Sequence, residues 1–187
     1  MKNIAILSSH NGSGLDAIVE AVNAGILPLN IALVISNNTD AKVLQKAKKY
    51  GITCKLINAK TDPDPNRAIY ELLKEYACEF VFLSGYMKKL SPLLTSGFTI
   101  INSHPSLLPK YGGMGMYGRF VHEAVIKNRE TTSGVTIHEV NENYDEGKII
   151  LQKSLQIEPG ESVDSLEARV KSLEKEAIVE GLALCLK

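Results

Sequence analysis

Residues 4–22, IAILSSHNGSGLDAIVEAV, decide the fold class of this chain. The apolar run Ile4–Leu7 has the length of a buried strand, and the turn-prone segment Ser8–Gly14 follows it. Apolar residues then recur with helical spacing at Leu15, Ile18, Val19 and Val22. The stretch therefore predicts one βα unit, in which a glycine-rich turn joins the strand to the helix.

The same alternation of strand and helix continues along the chain. Further apolar strands are predicted at Ile31–Ile35, Ile52–Ile57, Phe80–Leu83 and Phe98–Ile101. We expect Asp40 to cap the helix after the second strand and Gly51 to end it. Continuous apolar strands that alternate with amphipathic helices indicate a parallel sheet covered on both faces, with right-handed crossovers. The predicted fold class is therefore doubly wound α/β.

The pattern changes beyond residue 130. Gly134–Val140 and Lys148–Lys153 are strand-like and flank a polar turn, so we expect them to pair antiparallel. Ser162 could cap a last helix. With no linker in the sequence, we expect a single domain over residues 1–187: a mostly parallel sheet with helices on both faces and an antiparallel C-terminal strand pair.

Composition excludes several classes of partner. Lys plus Arg number 21 and Asp plus Glu number 21, so no net charge would attract nucleic acid or an anionic membrane. The three cysteines are widely spaced and form no CxxC pair, which argues against a disulfide framework or a zinc site. No apolar run approaches membrane-spanning length. We therefore expect a soluble protein of the reducing cytoplasm.

The segment Asn102–Pro109, NSHPSLLP, carries the strongest chemical signal. Asn102 and His104 lie two positions apart at the end of the predicted strand Phe98–Ile101, so both side chains should point to the same face. The carboxyl edge of an open α/β sheet is where ligands bind. An amide donor beside a titratable base suits acyl transfer. A polar strand end bonded to neighbouring backbone would show the same pattern.

Three loops could contribute to the same site. Gly12-Ser13-Gly14 offers backbone amides and a helix N-terminus to a phosphate, although a tight turn without a ligand fits as well. The segment Gly112–Gly118 has the glycine content of a mobile flap or of a plain flexible connection. Asp145, in the turn Asn141–Gly147, could face His104 or be solvated in a surface turn.

Taken together, these segments resemble the phosphoribosylglycinamide formyltransferase family over nearly the whole chain. The resemblance rests on Asn11-Gly12-Ser13, Ile35-Ser36-Asn37 with Asp40-Ala41, Leu83–Met87, Asn102–Pro109, Ser133–His138 and Asp145–Ile150. The long Asn-His-Pro segment with the downstream Asp-x-Gly is specific for folate-dependent formyltransferases. The resemblance implies formyl transfer from 10-formyltetrahydrofolate to the amine of glycinamide ribonucleotide, in purine synthesis, with no metal. It also implies a cis bond between Leu108 and Pro109.

Site residues follow from the same resemblance. Asn102, His104 and Asp145 would be the catalytic set, with Asp145 holding His104 in its charged form. Residues implied to bind the ribonucleotide are Gly12, Ser13, Gly14, Lys171 and Glu174. Residues implied to bind the folate are Arg67, Met87, Lys88, Lys89, Leu90, Asn102, Asn141, Glu142, Asn143, Tyr144 and Asp145. Lys171 and Glu174 would otherwise be an ordinary solvated pair on a helix.

The chain departs from the family pattern at several positions. His10 replaces a glycine, Gly14 replaces an asparagine expected to contact phosphate, and Ser103 replaces an aliphatic residue. The flap Gly112–Gly118 is longer and richer in glycine than the commonest version. The residues after Glu174 lack the familiar histidine and aromatic-proline pair. The ribonucleotide contacts are the part of the site that these changes affect most.

Other readings share part of the pattern. Methionyl-tRNA and sugar-nucleotide formyltransferases have the Asn-x-His and Asp core, but they need a longer chain, and neutral charge argues against tRNA. Formyltetrahydrofolate hydrolase does not need the ribonucleotide residues. A nonenzymatic phosphate- or nucleotide-binding module is compatible with the fold. The sequence is compatible with a homodimer and does not fix the oligomeric state.

Overall fold

A computed structural model describes all 187 residues, which divide into two compact units, Met1–Asn102 and Ser103–Lys187. The first contains β1 (Lys2–Leu7), α1 (Ser13–Asn23), β2 (Leu29–Ser36), α2 (Lys42–Lys49), β3 (Cys54–Leu56), α3 (Pro65–Glu75), β4 (Cys78–Leu83) and α4 (Pro92–Gly97). Strand β5 (Thr99–His104) runs through the boundary. The second unit contains α5 (Arg119–Lys127), β6 (Thr132–Glu139), β7 (Ile149–Gln156) and α6 (Val163–Cys185).

The strands follow the order β3-β2-β1-β4-β5-β6-β7. Every pairing among the first five is parallel, whereas β6 and β7 pair antiparallel. These observations confirm the predicted fold class. The single domain over residues 1–187 stays a prediction. None of the helices combines the length and the apolar character of a membrane-spanning segment.

In the first unit, the strand order explains where loops can hold a ligand. The chain moves outward from β1 through β2 to β3, then returns to the other side of β1 for β4 and β5. Right-handed crossovers in opposite directions place α1 and α2 on one face and α3 and α4 on the other. The direction reverses between β1 and β4, and such a switch point is the usual ligand position in this fold.

Apolar strands make the core of the first unit. Ile4–Leu7 and Leu33–Ile35 are at most 1% exposed. The side chains of α1 that face them include Leu15 and Ile18, both fully buried. The apolar residues with helical spacing in the sequence therefore form the packing face of α1. Burying these side chains on both faces is what a parallel sheet requires.

The structure corrects some predicted boundaries. The N-cap of α2 is Ala41, without a side-chain cap, so Asp40 is not the cap because it lies one residue too early. The third strand is shorter than Ile52–Ile57, and the six-residue helix α4 was not predicted. Strand β5 continues through the polar residues to His104. Gly51 (φ +70°) after α2, the Ser162 cap of α6 and the cis Leu108-Pro109 bond are confirmed.

Gly134 in β6 tests the packing of the second unit. A Cβ at this position would lie 2.1 Å from the backbone oxygen of Lys153 in β7 and 2.7 Å from Leu107. We expect Gly134→Ala to lower the free energy of unfolding by about 3 kcal/mol and Tm by roughly 6 to 12 °C, because the strand pair must separate. Urea unfolding and thermal melts measure both quantities.

Ser133→Ala is the matched control for this prediction. The Ser133 hydroxyl is buried and has no hydrogen-bond partner. Its removal should leave stability unchanged or raise it, because an unsatisfied polar atom is lost. Equal stability of Gly134→Ala and wild type would contradict the close packing of β6 against β7.

Candidate active site

The turn after β1 positions the predicted phosphate-binding glycines. Gly12 has φ +61° and is the N-cap of α1, and a Cβ there would lie 2.4 Å from the Val43 side chain. Both the backbone conformation and the space therefore require glycine. The Gly14 amide donates to the Ser84 hydroxyl at 3.0 Å. Of the three predicted residues, Gly14 thus already has a protein partner for its amide.

The segment Met87–Leu90 follows β4, next to the switch point. The Met87 amide donates to the Ser9 hydroxyl at 2.7 Å, and that hydroxyl donates to the Asn37 side chain at 2.6 Å. Ser9 is fully buried. One serine after β1 therefore fixes the start of a segment predicted to bind folate. Leu90 is buried, whereas Met87, Lys88 and Lys89 are exposed.

A cavity of about 760 Å³ lies at the carboxyl ends of the strands in the first unit. Its volume is within the range of small-molecule sites. Lining residues include Ser9, Asn37, Asn58, Asn66, Lys88 and Lys89. Arg67, predicted near the folate tail, pairs with Glu71 at 2.7 Å on α3 and is exposed.

In the second unit, His104 and Asp145 lie together as predicted. The His104 Nδ1 atom is 3.6 Å from Asp145 Oδ2, and the side chains are 5% and 13% exposed. His104 is the last residue of β5, and Pro105 follows it. Asp145 has φ +57°, a backbone conformation that Asp adopts more readily than most residues. Strand end and turn thus bring an imidazole and a carboxylate to one place.

Backbone groups of the segment after Pro109 complete this arrangement. The Tyr111 carbonyl lies 2.7 Å from His104 Nε2, and the Gly113 amide donates to Asp145 Oδ2 at 2.8 Å. Because a carbonyl only accepts, Nε2 must carry a proton here. A second proton on Nδ1 would face the Asp145 carboxylate. Both ring nitrogens therefore face acceptors.

His138 is a member of the site that was not predicted. It is 1% exposed, and its Nε2 atom lies 3.5 Å from Asp145 Oδ1. Asp145 is thus held between two imidazoles. Within β6, His138 lies two residues after Thr136, whose hydroxyl donates to the Ser106 carbonyl at 2.7 Å. The alternation of β6 was the available signal, since it places both polar side chains on one face.

We expected Asp145 to hold His104 in its charged form, but burial has the larger effect on the His104 pKa. Burial lowers the pKa of the His104 imidazole below its ordinary value, while Asp145 and the Tyr111 carbonyl act to raise it. For Asp145, burial acts to raise the carboxyl pKa, but the His138 bond, the His104 charge and the Gly113 amide outweigh it and lower the pKa. The Asp145 carboxylate therefore raises the His104 pKa by less than burial lowers it.

The remaining predicted residues have other surroundings. Asn102 is half-buried in β5, two residues before His104. Asn141–Tyr144 are exposed, and the Asn143 amide bonds to the Asn141 side chain at 2.9 Å. Lys171 is exposed on α6 and pairs with Glu167 at 2.5 Å. Glu174 does not pair with Lys171 by a direct bond but accepts one from the Ser103 hydroxyl.

Comparison with known proteins gives a consistent result. Residues 2–182 match the family model described as formyl transferase. The chain is 39% identical over 179 residues to the phosphoribosylglycinamide formyltransferase of Haemophilus influenzae, covering 93% of this chain and 82% of that relative. It is 36% identical over 190 residues to the chloroplastic enzyme of the same name from Vigna unguiculata, covering 98% of this chain and 61% of that relative.

Solved structures agree with the sequence relatives. Glycinamide ribonucleotide transformylase 1 from Geobacillus kaustophilus matches with a TM-score of 0.91 and 31% identity, over 100% of both chains. Phosphoribosylglycinamide formyltransferase from Bacillus halodurans matches with a TM-score of 0.90 and 32% identity, over 100% of this chain and 96% of the other. The similarity therefore extends over the whole chain.

Proposed function

The chain belongs to the formyl transferase family, and on that premise we propose that it transfers a formyl group from 10-formyltetrahydrofolate to the amine of glycinamide ribonucleotide. The names of its relatives state the formyl transfer and this acceptor. The reduced-folate donor follows from the resemblance carried by Asn102–Pro109. The reaction belongs to de novo purine synthesis, as do the trifunctional purine biosynthetic proteins that also match.

The observation that supports this proposal most directly is the 3.6 Å approach of His104 to Asp145 at the end of β5. A buried imidazole beside a carboxylate can hold or release a proton at a defined nitrogen. Asn102, on the same strand face by alternation, supplies an amide donor. These are the groups that acyl transfer to an amine requires.

We assign a role to each member of the catalytic set. As the amine attacks the formyl carbon, Asn102 and protonated His104 stabilise the oxyanion that forms on the formyl oxygen. For this, the proton on His104 Nε2 leaves its hydrogen bond to the Tyr111 carbonyl and forms one to the formyl oxygen. His104 also takes part in the proton transfers that move the amine proton to the departing folate nitrogen. Asp145 stabilises the imidazolium by its charge.

The acceptor contacts are assigned by resemblance and supported by local geometry. Gly12 and Ser13 begin α1, where backbone amides and the helix dipole favour a phosphate. Gly14 remains in the assignment, although its amide bonds to Ser84. We assign Lys171 to the phosphate and Glu174 to the ribose hydroxyls.

The donor contacts are assigned in the same way. We assign Met87, Lys88, Lys89 and Leu90 to the pterin, with Arg67 near the folate tail. Asn141, Glu142, Asn143 and Tyr144, which precede Asp145, line the same ligand in this assignment. Two observations support these donor assignments: residues 141–144 are exposed, and the Met87 amide is fixed by its bond to the Ser9 hydroxyl.

A direct assay tests the function. The purified protein is mixed with 10-formyltetrahydrofolate and glycinamide ribonucleotide, and the folate absorbance is followed. We expect release of tetrahydrofolate only when the amine is present. Release without the amine would identify a hydrolase. Ribonucleotide binding without any release would identify a nonenzymatic binding module.

Lys171 provides a test of the acceptor assignment. Lys171→Ala should raise the KM for the ribonucleotide about 10-fold or more and leave the folate KM nearly unchanged, because a charge-assisted bond to phosphate is lost. Lys175→Ala, one turn later on the exposed face of α6, is the matched control. Equal changes in both KM values would contradict the assignment.

Two properties remain proposals beside the function. We propose a cytoplasmic location, consistent with three cysteines that form no disulfide. We also retain the homodimer as a proposal. Sedimentation equilibrium of the purified protein tests the second property, since a monomer of 20.4 kDa would exclude the dimer.

A further inference from the structure

Ser103 lies in β5 directly between Asn102 and His104. Because side chains alternate along a strand, its hydroxyl points to the face opposite the two proposed catalytic side chains. On that face it donates a hydrogen bond to the Oε1 atom of Glu174 in α6. One short stretch of strand therefore contacts Asp145 on one side and Glu174 on the other.

Glu174 needs such a donor. Its carboxyl is half-buried, and burial raises its pKa, while the Ser103 bond and the charge of Lys171 act to lower it. A half-buried carboxylate without a hydrogen-bond donor is destabilised in its charged form. The serine hydroxyl satisfies one oxygen and also finds its own partner. An aliphatic side chain, which the family pattern has here, could not do this.

The pairing leaves acceptor capacity on Glu174. A carboxylate has two oxygens and about four acceptor positions, of which Ser103 takes one on Oε1. The hydroxyls of a ribose are donors that match the rest. With one oxygen fixed, the plane of the carboxylate is set before a substrate arrives, which reduces the loss of side-chain freedom on binding.

We propose that Ser103 is a positioning residue for the acceptor substrate, which fixes the Glu174 carboxylate so that it can receive the ribose hydroxyls. The inference rests on the proposed function, because that function gives Glu174 the ribose. Ser103 itself touches neither substrate in this assignment. Its effect should therefore appear in ribonucleotide binding and leave the chemical step unchanged.

The experiment compares Ser103→Ala, Ser103→Thr and wild type. In Ser103→Ala we expect the ribonucleotide KM to rise about 2- to 12-fold, because the Glu174 side chain must then be immobilised when the substrate binds, with kcat and the folate KM unchanged. Ser103→Thr keeps the hydroxyl and should restore a KM near wild type. Ser154→Ala, an exposed serine on β7, is the matched control.

The pH profile gives a readout that a merely structural role would not change. The Ser103 bond acts to lower the Glu174 pKa, so its loss should raise that pKa. Since the ionised carboxylate accepts the ribose hydroxyls, kcat/KM for the ribonucleotide should fall at a higher pH in Ser103→Ala than in wild type. An unchanged acid limb together with an unchanged KM would overturn the proposal.

Calorimetric binding of glycinamide ribonucleotide without folate separates the two proposals. Weaker binding by Ser103→Ala, with binding restored in Ser103→Thr, supports the role of Ser103. If wild type shows this binding pattern but does not transfer formyl, only the proposed function fails. Normal turnover by wild type with equal ribonucleotide affinity in all variants overturns only the role of Ser103. Thermal melts establish that each variant is folded.

Discussion

His104→Ala should lower kcat by at least ~10²–10⁴ and leave folate binding largely intact. The imidazole is buried at the end of β5 beside Asp145, so its loss removes both the proton carrier and a charge that would stabilise the oxyanion. Folate affinity should persist because the segment Met87–Leu90 is fixed by Ser9 and not by His104. Single-turnover kinetics and equilibrium folate titration measure the two effects separately.

A second substitution tests whether a folding defect, and not the loss of the imidazole, lowers kcat. His104→Gln keeps a polar side chain of similar length but cannot carry the proton, so it should lose as much kcat as the alanine variant. Both variants should show a cooperative thermal melt. A kcat within tenfold of wild type in either folded variant would remove His104 from the mechanism.

Asp145→Asn should slow turnover by a factor between about 10 and ~10⁴, the range spanned by loss of an orienting carboxylate beside a catalytic histidine. The amide oxygen of Asn can still accept the Gly113 amide, so the change removes charge more than shape. Without the carboxylate, burial acts on His104 with less opposition, and the imidazole pKa falls further below its ordinary value.

The proposed role of protonated His104 fixes the direction in which the pH dependence of kcat changes in Asp145→Asn. If protonated His104 supports the reaction, activity is lost as the pH rises through the imidazole pKa. A lower pKa in Asp145→Asn therefore moves the alkaline limb of kcat to lower pH. Histidine NMR titration of wild type and Asp145→Asn measures the His104 pKa directly. An identical His104 titration in both proteins would show that the two residues do not interact.

Sequence patterns predicted most of the fold because its strands are continuous apolar runs. Ile4–Leu7 and Phe80–Leu83 are buried strands as expected. The helix Pro92–Gly97 was not predicted because six residues are too few for a helical period. The polar end of β5 was placed outside the strand because Asn, Ser and His carry no strand signal, although the backbone continues to pair.

The candidate site was predicted in part for similar reasons. Asn102, His104 and Asp145 stand out by residue type and by the family segments around them. The Tyr111 carbonyl and the Gly113 amide are backbone groups, which no residue pattern marks. The contact between Ser103 and Glu174 joins residues far apart in the chain, so only the folded structure brings it into view.

The backbone of Asp145 has a consequence for how this position can vary. A residue at φ +57° is tolerated well by Gly, Asn and Asp and poorly by longer or branched side chains. Glu, which would keep the charge, meets this steric limit, whereas Asn keeps the turn and loses the charge. Asp is therefore the residue that retains both charge and backbone shape at the lowest conformational cost. In a library of variants at this position, we expect only Asp to give wild-type turnover.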